Sequence, residues 1–209
     1  MIFIDEKNVE WQNLKAMKNI AAIKDLANNM KVKLDEEKPF GIKPDWYSTS
    51  INVYKKHVIF GETLLDDLNE DEQKNLAAHE FSHLKYHHFY WIIIVSFGIY
   101  AIVSLVLAKY VFPNELSLFI GLIPLFAMFI MIGKWQEYQA DMKAVSFTKD
   151  KKSMLSLLDK LYQMKTKQDA GKLPPPTIME RVSRILHPSL VNRIRRIEKQ
   201  PNLWFLNPF

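Results

Sequence analysis

The sequence contains no cysteine, which excludes a disulfide framework and a cysteine nucleophile and leaves the redox compartment open. The stretch Met1-Ile2-Phe3-Ile4-Asp5-Glu6 lacks the basic start and apolar core of a secretory signal, so the N-terminal part is expected to stay where it is synthesised. Strong net charge is missing too. The balance of +5 fits a solvated surface, with acidic lipid head groups as the alternative contact, and no nucleic-acid partner is expected. No internal repeat is present.

The most informative absence is local. Trp91–Ala108 holds no charged residue, and beyond Lys109 and Pro113-Asn114-Glu115 a second uncharged run covers Leu116–Gly133. A bilayer core of about 30 Å takes about 20 apolar residues in a helix. Both runs qualify, and the short gap makes them a tight hairpin. The remaining chain is too short to wrap both as buried core helices. The expected division is therefore residues 1–90, a two-span hairpin over 91–133, and residues 134–209. Two spans leave both flanking parts on one side. Lys85, Lys134 and Lys143 flank that side, and the positive-inside bias places it in the cytoplasm.

Elsewhere the patterns are those of a mainly helical chain. Residues 8–31 read as one amphipathic helix carrying Trp11, Leu14, Met17, Ile20, Ile23 and Leu26 near helical spacing. Pro39 and Pro44 punctuate a loop. Ser48–Tyr54 and His57–Phe60 read as two short strands forming a small antiparallel hairpin. Asn69 can cap a helix, with Glu72 completing a capping box. Lys134–Phe147 and Ser153–Lys167 read as further helices. A stiff Lys172–Pro176 connector follows, and two helical pieces close the chain, the second with Pro188 at its first helical position.

The helix begun at Asn69 carries His79-Glu80-Phe81-Ser82-His83. Histidines four apart leave one face of a helix a turn apart, a spacing that lets two ring nitrogens bind one tetrahedral zinc. Glu80, one step round, can take a proton from water without being a ligand. A hydrolytic zinc takes a third protein ligand. A metzincin would supply a histidine at position 89, where Phe89 stands. His87 lies a further turn along the same face, but a rigid helix cannot wrap three turns around one ion, so His87 and His88 read as interfacial residues at the mouth of the first span. A carboxylate on another helix remains, and Glu137-Tyr138-Gln139-Ala140-Asp141 supplies one. Glu137 can ligate while Asp141 accepts a hydrogen bond from a ligand histidine and fixes its tautomer.

Asn69–His88 followed by Glu137–Asp141 resembles the gluzincin membrane metallopeptidases that include the heat-shock protease HtpX and the CaaX prenyl proteases. Val58–Leu65 resembles that group's strand and turn ahead of the metal helix, and His187-Pro188-Ser189-Leu190-Val191-Asn192-Arg193-Ile194 resembles its C-terminal His-Pro…Arg-Ile element. The likeness spans roughly Trp46 to Lys199. It implies that His187 and Arg193 reach the active site and stabilise an oxyanion, for which a cationic donor in a dry site is suited. Relatives usually have more spans, some ahead of the metal helix; no such apolar run precedes it here, which argues against the large intramembrane chamber a lipidated CaaX substrate needs.

The combined expectation is a mainly α gluzincin-type metallopeptidase domain with a small antiparallel hairpin, interrupted by a two-helix transmembrane hairpin. It would bind one Zn2+ per chain through His79, His83 and Glu137, with Asp141 behind them. Glu80, His187 and Arg193 would be catalytic, and the substrate a peptide or membrane protein. Two rival readings stand beside it: a non-catalytic membrane zinc scaffold or sensor, against which Glu80 argues because a structural site needs no base, and a two-span interaction protein with incidental histidines, which bound metal would separate. With His83 eight residues before Trp91, about 12 Å along a helix, the metal is expected near the cytoplasmic membrane surface.

Overall fold

The computed structural model describes residues 6, 8–11, 14–110, 114–175, 181, 184–185 and 187–199. The chain is mostly helical around a three-stranded sheet. In order it forms α1 (Ile20–Asn29), β1 (Phe40–Lys43), β2 (Thr49–Asn52), β3 (His57–Gly61), α2 (Glu62–Asp67), α3 (Glu70–Lys85), α4 (His88–Tyr110), α5 (Asn114–Thr148), α6 (Lys151–Asp169) and α7 (Leu190–Glu198).

The expected hairpin is present. β2 runs antiparallel to β3, with Ser50 opposite Ile59 and Ile51 opposite Val58. The segment between Pro39 and Pro44 is not a plain loop, however. Its residues form β1, parallel to β3 with Gly41 opposite Ile59, so the strand order is β1-β3-β2. β3 is buried along its whole length, as befits the centre of a sheet covered on both faces. Glu10 bridges to Ile42 on the far side of β1. Among the described residues nothing pairs with the outer edge of β2.

The N-terminal helix is shorter than its apolar spacing suggests. α1 begins only at Ile20, where the side chain of Asn19 accepts from the Ala22 amide at 3.0 Å. Trp11, Leu14 and Met17 are apolar for tertiary reasons. Trp11 packs on the His57 ring at 4.6 Å, and Met17 is in the core. The Lys18 amide donates to Gln73 Oε1, a bond no α-helical turn would leave it free to make.

α3 starts as the capping box anticipates. The Asn69 side chain accepts from the Glu72 amide, and the Glu72 carboxylate accepts from the Asn69 amide. Glu72 also accepts from Ser156 Oγ at 2.6 Å and Lys160 Nζ at 2.7 Å, clasping the start of α3 to α6. Phe81 on α3 meets Phe40 of the sheet at 6.2 Å, and Phe40 meets Phe60 at 6.3 Å. The core therefore lies between the sheet, α1, α3 and α6, and it fixes α3 from several sides.

Two helix boundaries differ from expectation. α3 and the first apolar helix are not continuous: Tyr86 ends α3 and His87 adopts φ +51° before α4 begins at His88, so the metal helix and the first apolar helix meet at a bend. Conversely, Leu116–Gly133 and Lys134–Phe147 are one helix, α5, with Pro124 inside it; composition changes at Gly133, but nothing there stops the backbone. At the C-terminal end Ser189, not Pro188, borders the last helix. Its hydroxyl accepts from the Asn192 amide at 3.3 Å, which puts Pro188 one position before the cap. The first of the two closing helical pieces falls largely outside the described residues.

α4 and α5 lie against each other. A side chain on Gly121 of α5 would collide with Ser104 Oγ and the Tyr100 ring of α4, so glycine is what permits the close approach there. Two helices, Tyr90–Tyr110 and Ile120–Thr148, are long and apolar enough to cross a membrane.

Candidate active site

α3 and α5 bring His79, Glu80, His83, Glu137 and Asp141 together, and α7 adds Arg193. The His79 and His83 Nε2 atoms are 3.2 Å apart. Glu137 Oε2 lies 3.5 Å from His79 Nε2, and its Oε1 lies 3.3 Å from His83 Nε2. An ion held tetrahedrally at about 2.0–2.1 Å from each donor separates them by about 3.3–3.4 Å. The three side chains therefore form a group that can hold a metal ion.

The surroundings favour a cation there. His79 Nδ1 is 2.8 Å from Asp141 Oδ1. With the proton on that nitrogen, Nε2 turns its lone pair toward the Glu137 carboxylate. Such facing acceptors repel unless a positive charge lies between them. Without a metal, a proton takes that place. Burial pushes the His79 imidazole down, but hydrogen bonds to Asp141 and Glu137 outweigh it and hold the pKa up at about 10.

Arg193 closes the back of the group. Its Nε donates to Asp141 Oδ2 at 2.7 Å, its Nη2 donates to Asp141 Oδ1, and its Nη1 lies 3.3 Å from Glu137 Oε2. Burial disfavours its charge, yet Asp141 and then Glu137 and Glu80 raise its pKa above the usual value. Its fork is thus engaged with the two carboxylates of α5. His187 Nε2 lies 3.1 Å from Glu137 Oε1, with 37% of its side chain exposed.

His79, Glu80, His83, Glu137, His187 and Arg193 line a cavity of about 650 Å³. One wall is the outer edge of β2, where Thr49 Oγ1 donates to Glu80 Oε1 at 2.5 Å. Another reaches Ile92 of α4 and Phe129 and Gly133 of α5. A buried carboxylate, Glu80, beside three donors that can hold a metal ion, in a cleft edged by β2, has the parts needed to hydrolyse an amide.

Two residues near the site depart from what their sequence positions suggest. His88 is not an interfacial residue. It is buried, and its Nδ1 lies 2.9 Å from His83 Nδ1; burial, then the neighbouring His83 and His79, push its pKa down to about 3. It stands five positions after His83, a spacing that shares no helix face, and the bend at His87 is what turns it back. Thr49 has no motif to mark it either; its place beside Glu80 follows from the register of β2 on β3. His87, by contrast, is exposed.

The mostly helical domain and its donor group define a metallopeptidase. The chain belongs to peptidase family M48, whose family model matches residues 15–200, the family of HtpX and the CaaX proteases. Comparison with curated proteins and with solved structures gave no match.

Proposed function

We propose that this chain is a membrane-anchored endopeptidase that uses one zinc ion and cleaves segments of membrane proteins close to the cytoplasmic surface, in their processing or quality control. The observation that carries the reading is the convergence of His79, His83 and Glu137 beside Glu80 in a cleft edged by β2. Two imidazoles and a carboxylate suit zinc and leave a fourth position for water. Zinc, when bound, polarises the scissile carbonyl and makes water a competent nucleophile near neutral pH.

The side chains divide the remaining work. The edge of β2 can pair with an extended substrate and lay its backbone across the cleft. Thr49 holds Oε1 of Glu80, leaving the other carboxylate oxygen to take a proton as water adds to the carbonyl carbon. The same proton then goes to the leaving nitrogen as the C–N bond breaks. Asp141 steadies the His79 ring. Arg193 braces Asp141 and Glu137 from behind, and His187, in the cleft wall with its Nε2 3.1 Å from Glu137 Oε1, is the donor we assign to the oxyanion.

Membrane anchoring is supported by what the two apolar helices leave uncovered. Only 17% and 28% of their most apolar stretches are buried, unlike core helices of a soluble domain. The cavity is walled in part by Ile92, Phe129 and Gly133 of those helices, so the cleft adjoins the hairpin, which favours substrates arriving from the bilayer.

The test is cleavage by the full chain reconstituted in liposomes, on one peptide sequence in lipid-tethered and soluble versions. Activity should vanish with a chelator, return with zinc, and fall at least about 100-fold in Glu80→Gln with zinc still bound. Cleavage indifferent to chelator, or a Glu80→Gln variant near wild-type turnover, overturns the peptidase reading. Equal efficiency on both peptides at matched effective concentration overturns the membrane-proximal substrate.

A further inference from the structure

Each of the two histidines in the metal group has something behind it. For His79 it is Asp141, a carboxylate on the neighbouring helix. For His83 it is an imidazole, His88, the first residue of α4. We propose that His88 is a positioning residue that fixes the tautomer and ring plane of His83, and so ties the metal position to the apolar hairpin. The inference rests on reading His79, His83 and Glu137 as a metal site.

The chemistry follows from the imidazole ring. A neutral histidine that offers Nε2 to a metal keeps its proton on Nδ1. Left without an acceptor in a half-buried place, that N–H is penalised and the ring is free to turn. His88 Nδ1 lies 2.9 Å from it, with the two rings edge to face at 5.0 Å and 82°. His83 then donates, and His88 accepts on Nδ1 while carrying its own proton on Nε2.

His88 is itself held. It is 6% exposed, and its ring stacks on Tyr86 with centroids 6.0 Å apart. Its carbonyl accepts from Gln136 Nε2 at 2.6 Å, one residue before Glu137. The left-handed backbone at His87 turns the chain so that the first residue of α4 faces back to α3. Two of the three metal donors, His83 and Glu137, are in this way set by how α4 packs on α5.

The experiment compares His88→Leu, His88→Asn and wild type in the full chain, purified in detergent and stripped of metal. Leucine keeps apolar volume but has no acceptor. Asparagine places Oδ1 close to where histidine has Nδ1. Zinc affinity is read by competition with a chromophoric chelator, and ligand geometry by the visible spectrum of the Co2+-loaded chain. His88→Leu should bind zinc about 10–100-fold more weakly with an altered cobalt spectrum, and His88→Asn should recover most of both. Should His88→Leu fail to fold, His88→Phe, which keeps a flat ring without the acceptor, carries the same expectation. Zinc affinity and cobalt spectrum unchanged in His88→Leu, or His88→Asn no better than His88→Leu, overturns the inference. A wild-type chain that binds neither metal overturns the metal reading itself, and this inference with it.

Discussion

α3 and α4 are neighbours in the chain, separated by a two-residue bend, yet they obey opposite rules. α3 buries Glu72, Gln73, Asn75, His79, Glu80 and Ser82, and each of these polar side chains has a partner. Gln73 donates to the Ala16 and Leu65 carbonyls, Asn75 to the Asp150 carbonyl, and Ser82 to the Ala78 carbonyl. α4 exposes Ile94, Phe97, Ile102 and Leu105 and buries Ser96 and Ser104, whose hydroxyls have no hydrogen-bond partner among the described residues. In water the first arrangement is stable and the second is not, since exposed apolar surface costs about 25 cal/mol per Å². The contrast is the one the proposed membrane anchoring calls for: water around the domain that holds the site, and lipid around the hairpin.

The largest effect that would break this contrast comes from a charge on the outward face of α4. Ile102 is 64% exposed, so on a water-facing helix lysine would be tolerated. In a bilayer, Ile102→Lys should cost about 3 kcal/mol of insertion free energy, read as loss of the carbonate-resistant membrane fraction. Tyr162→Lys on α6, at a position 43% exposed, should change nothing. Equal behaviour of the two variants would return α4 to the aqueous side.

Next in size is the second carboxylate of α5. Asp141→Asn keeps the shape but weakens the hold on His79 Nδ1 and on Arg193. Metal affinity should fall about 10–100-fold, measured by chelator competition. Unchanged affinity together with unchanged turnover would show that the residue only decorates the helix.

Much of this was legible in the sequence because it is local. A capping box is an i to i+3 relation, the His79–His83 pair is i to i+4, and two long apolar helices declare themselves by composition alone. Glu137 could be singled out because few carboxylates follow the spans at helical spacing. What escaped depends on pairing across the chain. β1 has only four residues and no alternation to betray it, and it exists because β3 offers a partner. Trp11 and Leu14 mimic a helix face while serving tertiary packing instead. His88 sits at a spacing that no single helix brings together.

The clasp between α3 and α6 is the third test, of stability and not of chemistry. Burial pushes Glu72 up, but hydrogen bonds from Lys160, Ser156 and the Asn69 backbone hold its pKa below the usual 4.5. A carboxylate with a depressed folded pKa stabilises fully above its unfolded pKa, and that stabilisation disappears as pH falls through the folded value. Thermal stability should therefore decline on acidification below about pH 4.5. Glu72→Gln should lower stability by about 2 kcal/mol at neutral pH and flatten that acid limb. An acid limb as steep in the variant as in wild type would assign the decline to other carboxylates.

The smallest expected effect lies at the sheet edge. Thr49 Oγ1 reaches Glu80 Oε1 from β2, so in the proposed mechanism the strand that pairs with substrate also orients the base. Thr49→Val keeps the branched shape and the β propensity of the strand but removes the donor. A hydrogen bond to a side chain typically contributes about 0.5–1.5 kcal/mol, so kcat should fall by up to about tenfold. KM should stay close to wild type if the loss lies in the proton transfer and not in strand pairing. Zinc affinity should not move, because Glu80 is not among the donors. A raised KM at constant kcat would mean that Thr49 serves the substrate backbone, and unchanged kcat and KM would mean that the packing around α3 alone holds Glu80 in place.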